Sequence, residues 1–268
     1  MKLWRAIQHE LRLFFVALQF LTRLPAPAWV GYDPAWLNRS MRHLPLVGAI
    51  VGAAGAAVAC AASLLWSPLV SATLAVAFTV WLTAAFHEDG LADTFDALLG
   101  AAPREKALAI MKDSRIGSYG AAVLILALIL RVALLAELLA RGPLVFAALG
   151  LIAAHAAGRA AAVVLMAASS YAGDEAHAKA KPLARAVRGV DAGWAVASAL
   201  LLTCATCLAG PASLARLAAV VVALTLLVMF MRRWLRQRLG GYTGDTLGAT
   251  EQFGEILVLM VFASNVTT

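Results

Sequence analysis

Within FHEDGLADTFDALLG, residues 86–100, Asp89, Asp93 and Asp96 recur at i, i+4 and i+7, so a helix would carry all three carboxylates on one face. Acids placed in this way repel one another unless a cation lies among them. Hard oxygen donors suit Mg²⁺ or Mn²⁺, and two such ions can clamp a phosphoryl group between its attacking and leaving oxygens. Asp89, Asp93 and Asp96 are therefore the expected catalytic metal ligands, with Glu88 beside them as a further candidate. His87 heads the same turn and reads equally well as a catalytic base or as a cap on the membrane end of the preceding span. A plain solvated acidic loop fits less well, because Leu91, Ala92, Phe95 and Leu98 are phased between the acids.

Cations and small residues follow in MKDSRIGSYG, residues 111–120. Lys112 and Arg115, with Asp113 and Ser114, precede an apolar stretch, and backbone amides at a helix start amid small residues make an anion site. The same residues alone would equally be a Gly-Ser break with membrane anchors; beside an acidic metal cluster the phosphate reading gains. The segment GGYTGDTLGATE, 240–251, holds four glycines with Thr243, Gly244 and Asp245, a composition that predicts a loop wrapping a pyrophosphate or a sugar hydroxyl. An ordinary helix stop after RRWLRQR is the alternative. In 171–189, Lys179 and Lys181 would attract an anionic substrate or anchor lipid headgroups. His155 and Arg159, i and i+4 in an apolar stretch, are expected to line the floor of a polar cavity, with Arg159 touching substrate. Arg131, Glu137 and Arg216 read as snorkelling or paired, and Cys204 and Cys207 as apolar packing.

The elements that position these residues are set by an unusual composition. The chain has 268 residues, is 62% hydrophobic and only 14% charged, and has a mean hydropathy of +0.83. Disorder and disulfide scaffolds are excluded, and an all-α polytopic membrane bundle is implied. Apolar stretches at 43–66, 69–86, 118–140, 143–168, 192–210 and 212–231 predict six spans. Residues 252–266 are either a short seventh span or a re-entrant helix, since they include Glu255. Joints near 66–68, 141–143 and 210–211 are tight, so the spans pair as hairpins, and Gly48 and Gly52 give the first span a small-residue packing face. The segments 1–42, 87–117, 169–191 and 232–251 then fall on one side with 18 of the 22 Lys and Arg residues, which marks that side as cytoplasmic. The net charge of +7 is accordingly a topology signal, and no nucleic-acid-binding module is visible. Residues 1–24 read as an amphipathic helix lying on the bilayer surface, uncleaved. The whole is one membrane domain, with 1–42 as an interfacial segment and 43–268 as the bundle.

In LQFLTRLPAP (18–27), PLVGAIVG (45–52), FHEDGLADTFDAL (86–98), MKDSRIGSYG (111–120) and GGYTGDTLGATE (240–251), taken in this order, the chain resembles the cobalamin synthases, or adenosylcobinamide-GDP ribazoletransferases. The likeness covers most of the chain. It implies Mg²⁺-dependent transfer of the cobinamide-phosphate moiety of adenosylcobinamide-GDP to α-ribazole or its 5′-phosphate, with release of GMP. It also implies a place in the bacterial inner membrane, an active site facing the cytoplasm, and other cobalamin-pathway proteins as partners. By position, the family's acidic motif falls on Asp89, Asp93 and Asp96, its D-S-R motif on Asp113, Ser114 and Arg115, and its T-G-D motif on Thr243, Gly244 and Asp245. Glu88 stands where Leu is common, and Ala97 where Gly is common. Two other readings stay open on the residues alone. One is a CDP-alcohol-type membrane phosphotransferase, although D-G-x-x-A-R is not present; the other is a secondary transporter using the intramembrane charges.

Overall fold

Prolines and turn residues punctuate the apolar stretches into helices. In the computed structural model, which describes residues 2–31, 33–173, 187–210 and 213–264, eleven α-helices and no strand are found among the described residues. Three tight hairpins form as the joints predict: α3 (Leu44–Ala62) with α4 (Pro68–Leu82), α7 (Ser118–Arg141) with α8 (Leu144–Ala167), and α9 (Gly189–Leu208) with α10 (Ser213–Arg238). Pro45 and Pro68 sit in the first turns of their helices, where the missing N–H has no intrahelical partner to lose. α11 (Gly244–Ala263) completes the bundle. Around it lie α1 (Lys2–Leu21), α2 (Pro34–Ser40), α5 (Phe86–Leu98) and α6 (Arg104–Ile110). Six described helices are long and apolar enough to cross a membrane, or seven if α4 and α5 form one broken span. The chain is a polytopic helical membrane protein.

α8 is the central helix, packed by α3, α9, α10 and α11. Small residues allow this. A Cβ on Gly52 would lie 2.7 Å from the Ile152 backbone, and one on Gly254 would lie 2.7 Å from Gly158 Cα, so α3 and α11 both approach α8 backbone to backbone.

Two expectations about the spans need correction. The predicted span 69–86 ends early, at Leu82, because Ala84 and Ala85 both take the left-handed conformation at φ 55°. The Ala85 amide donates back to the Val80 carbonyl at 2.8 Å, closing α4, and the chain turns by 87° into α5. The predicted short helix 252–266 instead starts at Gly244, eight residues earlier. Thr243 makes a capping box with Thr246, which satisfies free amides at the helix start. The Gly-rich 240s are therefore mostly helix and not a wrapping loop; Gly248 serves close packing, since a Cβ there would meet the His87 carbonyl at 3.1 Å.

On the face that bears the long connections, side chains tie loops to helix ends. Arg104 donates to the carbonyls of Leu239 (2.7 Å) and Ala172 (3.2 Å), and Arg238 donates to that of Gly100 (2.6 Å). Tyr171 and Tyr242 form an isolated parallel bridge nearby. α1 buries Leu13, Ala17 and Leu21 against the protein and leaves Trp4, Ile7 and Leu11 exposed.

Candidate active site

α5 carries the acids on the face its spacing predicts: Asp89 is exposed and Asp93 and Asp96 are half-buried. The Asp96 carboxylate accepts from the amides of Gly117 (2.7 Å) and Gly120 (2.8 Å) at the start of α7. Both positions must be glycine in this arrangement, because a Cβ on either would strike that carboxylate. On the other flank α5 meets α11 at Gly90, where a Cβ would lie 2.8 Å from the Asp245 carbonyl. That contact brings in a fourth acid: Asp93 feels the charges of Asp89, Asp245 and Asp96, and Asp245 feels that of Asp89. Asp89, Asp93, Asp96 and Asp245 form an acidic mouth on the long-loop face of the bundle.

The donor set is made of hard oxygens, which is the chemistry Mg²⁺ takes. As a group of three, the α5 carboxylates do not converge within 4.8 Å, so they do not cage one ion. Mg²⁺ keeps several waters and is commonly held by one or two carboxylates plus substrate phosphates, and an open row of acids fits that mode.

Two residues assigned to this mouth by sequence adjacency stand elsewhere. At roughly 100° per residue, His87 points away from the acid face; it is buried, with Nδ1 3.9 Å from Glu251 Oε2. Glu88, expected as a metal ligand, is buried and bound to Arg131 at 2.8 Å, an ion pair that already neutralises it.

The D-S-R segment flanks the mouth, tethered through the Gly117–Asp96 bond. Arg115 grips the Asp113 carboxylate at 2.6 Å, and the guanidinium and the Arg115 amide hold that carboxyl down to about 2. The Arg115 side chain is 86% exposed, so it stands at the rim and not among the acids. Lys112 and Ser114 are exposed beside it. Thr243 is buried as the cap of α11, Gly244 is half-buried next to it, and Asp245 faces α5. Lys179 and Lys181 lie outside the described residues.

Behind the mouth lies a buried ion-pair network that spacing alone did not assemble. Arg131 reaches Glu88 (2.8 Å), Glu255 (2.8 Å) and Gln252 (3.0 Å). Arg159 reaches Glu251 (2.6 Å) and Glu255 (3.0 Å), and His155 pairs with Glu255. The expected substrate contact of Arg159 therefore competes with two carboxylates already in place. Isolated charges in a low-dielectric interior cost several kcal/mol each, and pairing offsets this. The network locks α5, α7, α8 and α11 in one rotation and so fixes where the acidic face points. Its signal in the sequence was the set of charges within apolar stretches at 131, 155, 159 and 255; the pairings cross up to four helices and have no sequence period.

A profile of the cobalamin-5-phosphate synthases matches residues 13–263. A protein of Leptothrix cholodnii named adenosylcobinamide-GDP ribazoletransferase is 50% identical over 262 residues, 97% of this chain and 98% of the relative. Proteins of the same name from Shewanella amazonensis and Shewanella piezotolerans are 42% and 40% identical, covering 95% and 98% of this chain and 95% and 100% of theirs. No solved structure matches. The family match and the relatives thus agree over nearly the whole length, and the chain belongs to the cobalamin-5-phosphate synthase family.

Proposed function

We propose that this chain catalyses the reaction for which its relatives are named. A ribose hydroxyl of α-ribazole, or of its 5′-phosphate, attacks the phosphate attached to the cobinamide of adenosylcobinamide-GDP. The P–O bond to the GMP phosphate breaks, GMP leaves, and the hydroxyl proton passes to solvent or a carboxylate. The observation that carries the chemistry is the mouth formed by Asp89, Asp93, Asp96 and Asp245, four acids from two helices meeting at Gly90. Mg²⁺ held there would supply the positive charge that stabilises a leaving diphosphate oxygen. Asp89, Asp93 and Asp245 are the residues to hold it. Asp96 both borders the site and positions the start of α7. Lys112 and Arg115 at the rim attract the anionic donor, and the Asp113 carboxylate keeps Arg115 close until a phosphate competes for it. Thr243 and Gly244 set the α11 start, whose helix dipole favours a phosphate nearby.

The cation-rich loops support placing this mouth at the cytoplasmic face of a bacterial inner membrane. Mutual pairing of the buried charges favours a fixed scaffold over an ion path, which weighs against a transporter. The test is reconstitution in liposomes with both substrates. GMP should appear in step with the corrinoid product, require Mg²⁺, and stop on chelation. Turnover of CDP-diacylglycerol with small alcohols, and none of adenosylcobinamide-GDP, would overturn the reading.

A further inference from the structure

A slot of about 240 Å³ opens between α8 and the α9–α10 hairpin, on helices that carry none of the four acids. Its walls come from residues 157–164 of α8, 196–203 of α9 and 220–229 of α10, and include no charged and no aromatic side chain. Its two hydroxyls are committed, Thr203 donating to the Ala199 carbonyl at 2.8 Å and Thr225 to that of Val221 at 2.7 Å. At the α-helical rise per residue the slot runs along the helices for roughly 10–14 Å. Leu200 and Val221 on its rim are exposed, so it opens sideways into the hydrocarbon layer. At the long-loop end its character changes. Val221, Thr225, Val228, Arg232 and Arg236 recur at i, i+4, i+7, i+11 and i+15, so the slot-lining face of α10 continues into two arginines. Both are exposed, and among the described residues neither has an ion-pair partner. On α9, Gly193 and Gly189 precede the lining Val196 by three and seven residues on the same face, and a Cβ at either would meet nothing within 4 Å. The one acid of α9, Asp191, is buried and paired with Arg42 (2.6 Å) and Arg188 (2.8 Å), so positive charge prevails at this end.

We propose that the slot and its two arginines bind one anionic glycerophospholipid from the leaflet on the long-loop side, with an acyl chain in the slot and the phosphate on Arg232 and Arg236. An apolar cleft open to lipid does not hold water. Nothing on its walls could satisfy a nucleotide or an amide, whose unmet polar groups are costly to bury. About 150 Å³ is enough for a guest the size of benzene, so the slot accommodates a length of unbranched chain. A partner's transmembrane helix, about 10–12 Å across with its side chains, does not fit. The head end is set by charge. Arg232 and Arg236 lie three and seven residues beyond Met229, roughly 5 and 11 Å along the helix, so the phosphate sits outward of the chain it belongs to. Guanidinium groups take phosphate in paired hydrogen bonds, and Gly189 and Gly193 leave room for the rest of the headgroup. The lipid bridges α8 to the α9–α10 hairpin from the face of α8 opposite His155 and Arg159. This binding is independent of the reaction proposed above.

The test uses the full chain in mixed micelles with equal parts of dioleoyl phosphatidylglycerol and dioleoyl phosphatidylcholine, and counts retained lipids by native mass spectrometry. The parent should retain phosphatidylglycerol about tenfold or more over phosphatidylcholine, the scale of two interfacial arginines. Arg232→Gln with Arg236→Gln should erase that preference, whereas Lys106→Gln, which removes an exposed cation of α6, should leave it intact. A phosphatidylglycerol carrying a photoreactive diazirine in its acyl chain then locates the chain on the unaltered protein, which removes misfolding as an explanation. Adducts should concentrate on the slot lining of α8, α9 and α10, and not on the exposed face of α7 at Ile125 and Ile129. Equal retention of both lipids, a preference that survives loss of the two arginines, or adducts spread evenly onto α7 would reduce the contact to ordinary boundary lipid and overturn the proposal. A dimer mass with no retained lipid and no slot adducts would give the slot to a second copy and overturn it as well.

Discussion

Neighbouring acids in one helical turn have opposite tasks here. Asp89 and Asp93 face the open mouth, whereas Glu88 is turned inward onto Arg131. Asp89→Asn and Asp93→Asn should cut GMP release by about a hundredfold or more, the scale of losing a charge that stabilises a transition state, and leave the thermal midpoint of the purified protein nearly unchanged. Glu88→Leu should show the inverse order, because removing one partner of a buried pair costs about 3–5 kcal/mol. Arg131 keeps Glu255, so the lower end is expected, read as a loss of folded protein before any loss of specific activity. Equal behaviour of the three variants would contradict the division. The acidic face was legible because i, i+4, i+7 is a helical period. Asp245 was grouped with the phosphate-binding Gly-rich segment because nothing in the sequence couples residue 245 to residue 90. Glu88 and His87 stand off that face because adjacency in sequence is a large rotation on a helix.

At the level of elements, the break between α4 and α5 decides the direction of the acidic face. Two alanines hold it at φ 55°, a conformation that costs an L-residue roughly 1–2 kcal/mol. Ala85→Gly should therefore raise the stability by up to about 1 kcal/mol after the entropy a glycine adds to the unfolded chain, read as a higher thermal midpoint. Ala85→Val should lower it and reduce activity, since a β-branched residue tolerates that region worst. Identical midpoints for both would mean the turn is not strained. No turn signal marks Ala84 and Ala85, so a continuous apolar run read as one uninterrupted span. The start of α11 was hidden for a different reason. Its first half contains Thr246, Thr250, Glu251 and Gln252, which lower apparent hydropathy, yet all four are buried and each pairs within the bundle.

For the whole molecule, the alternation of tight joints and long charged segments gave the correct hairpin plan, because chain length between spans limits where the chain can cross. With Cys60, Cys204 and Cys207 replaced, single cysteines at Ser114 and Gln237, exposed on the long-loop face, should react with an impermeant thiol reagent only from the cytoplasmic side. A cysteine at Leu65, exposed in the opposite tight joint, should react only from outside; any exchange of sides would invert the topology. The network joining Glu251 and Glu255 to Arg131, Arg159 and His155 also bears on biogenesis. α11 emerges from the ribosome after α5, α7 and α8 with Glu251 and Glu255 in its apolar length, and lipid offers them no counter-charge. α7 meanwhile has Glu88 of α5 for its Arg131, but α8 waits with Arg159, whose two carboxylate partners both lie on α11. Neither half is a comfortable guest of the bilayer alone, so insertion of α11 and closure of the bundle become one event, and a chain stalled before residue 244 presents membrane proteases with an orphaned intramembrane arginine.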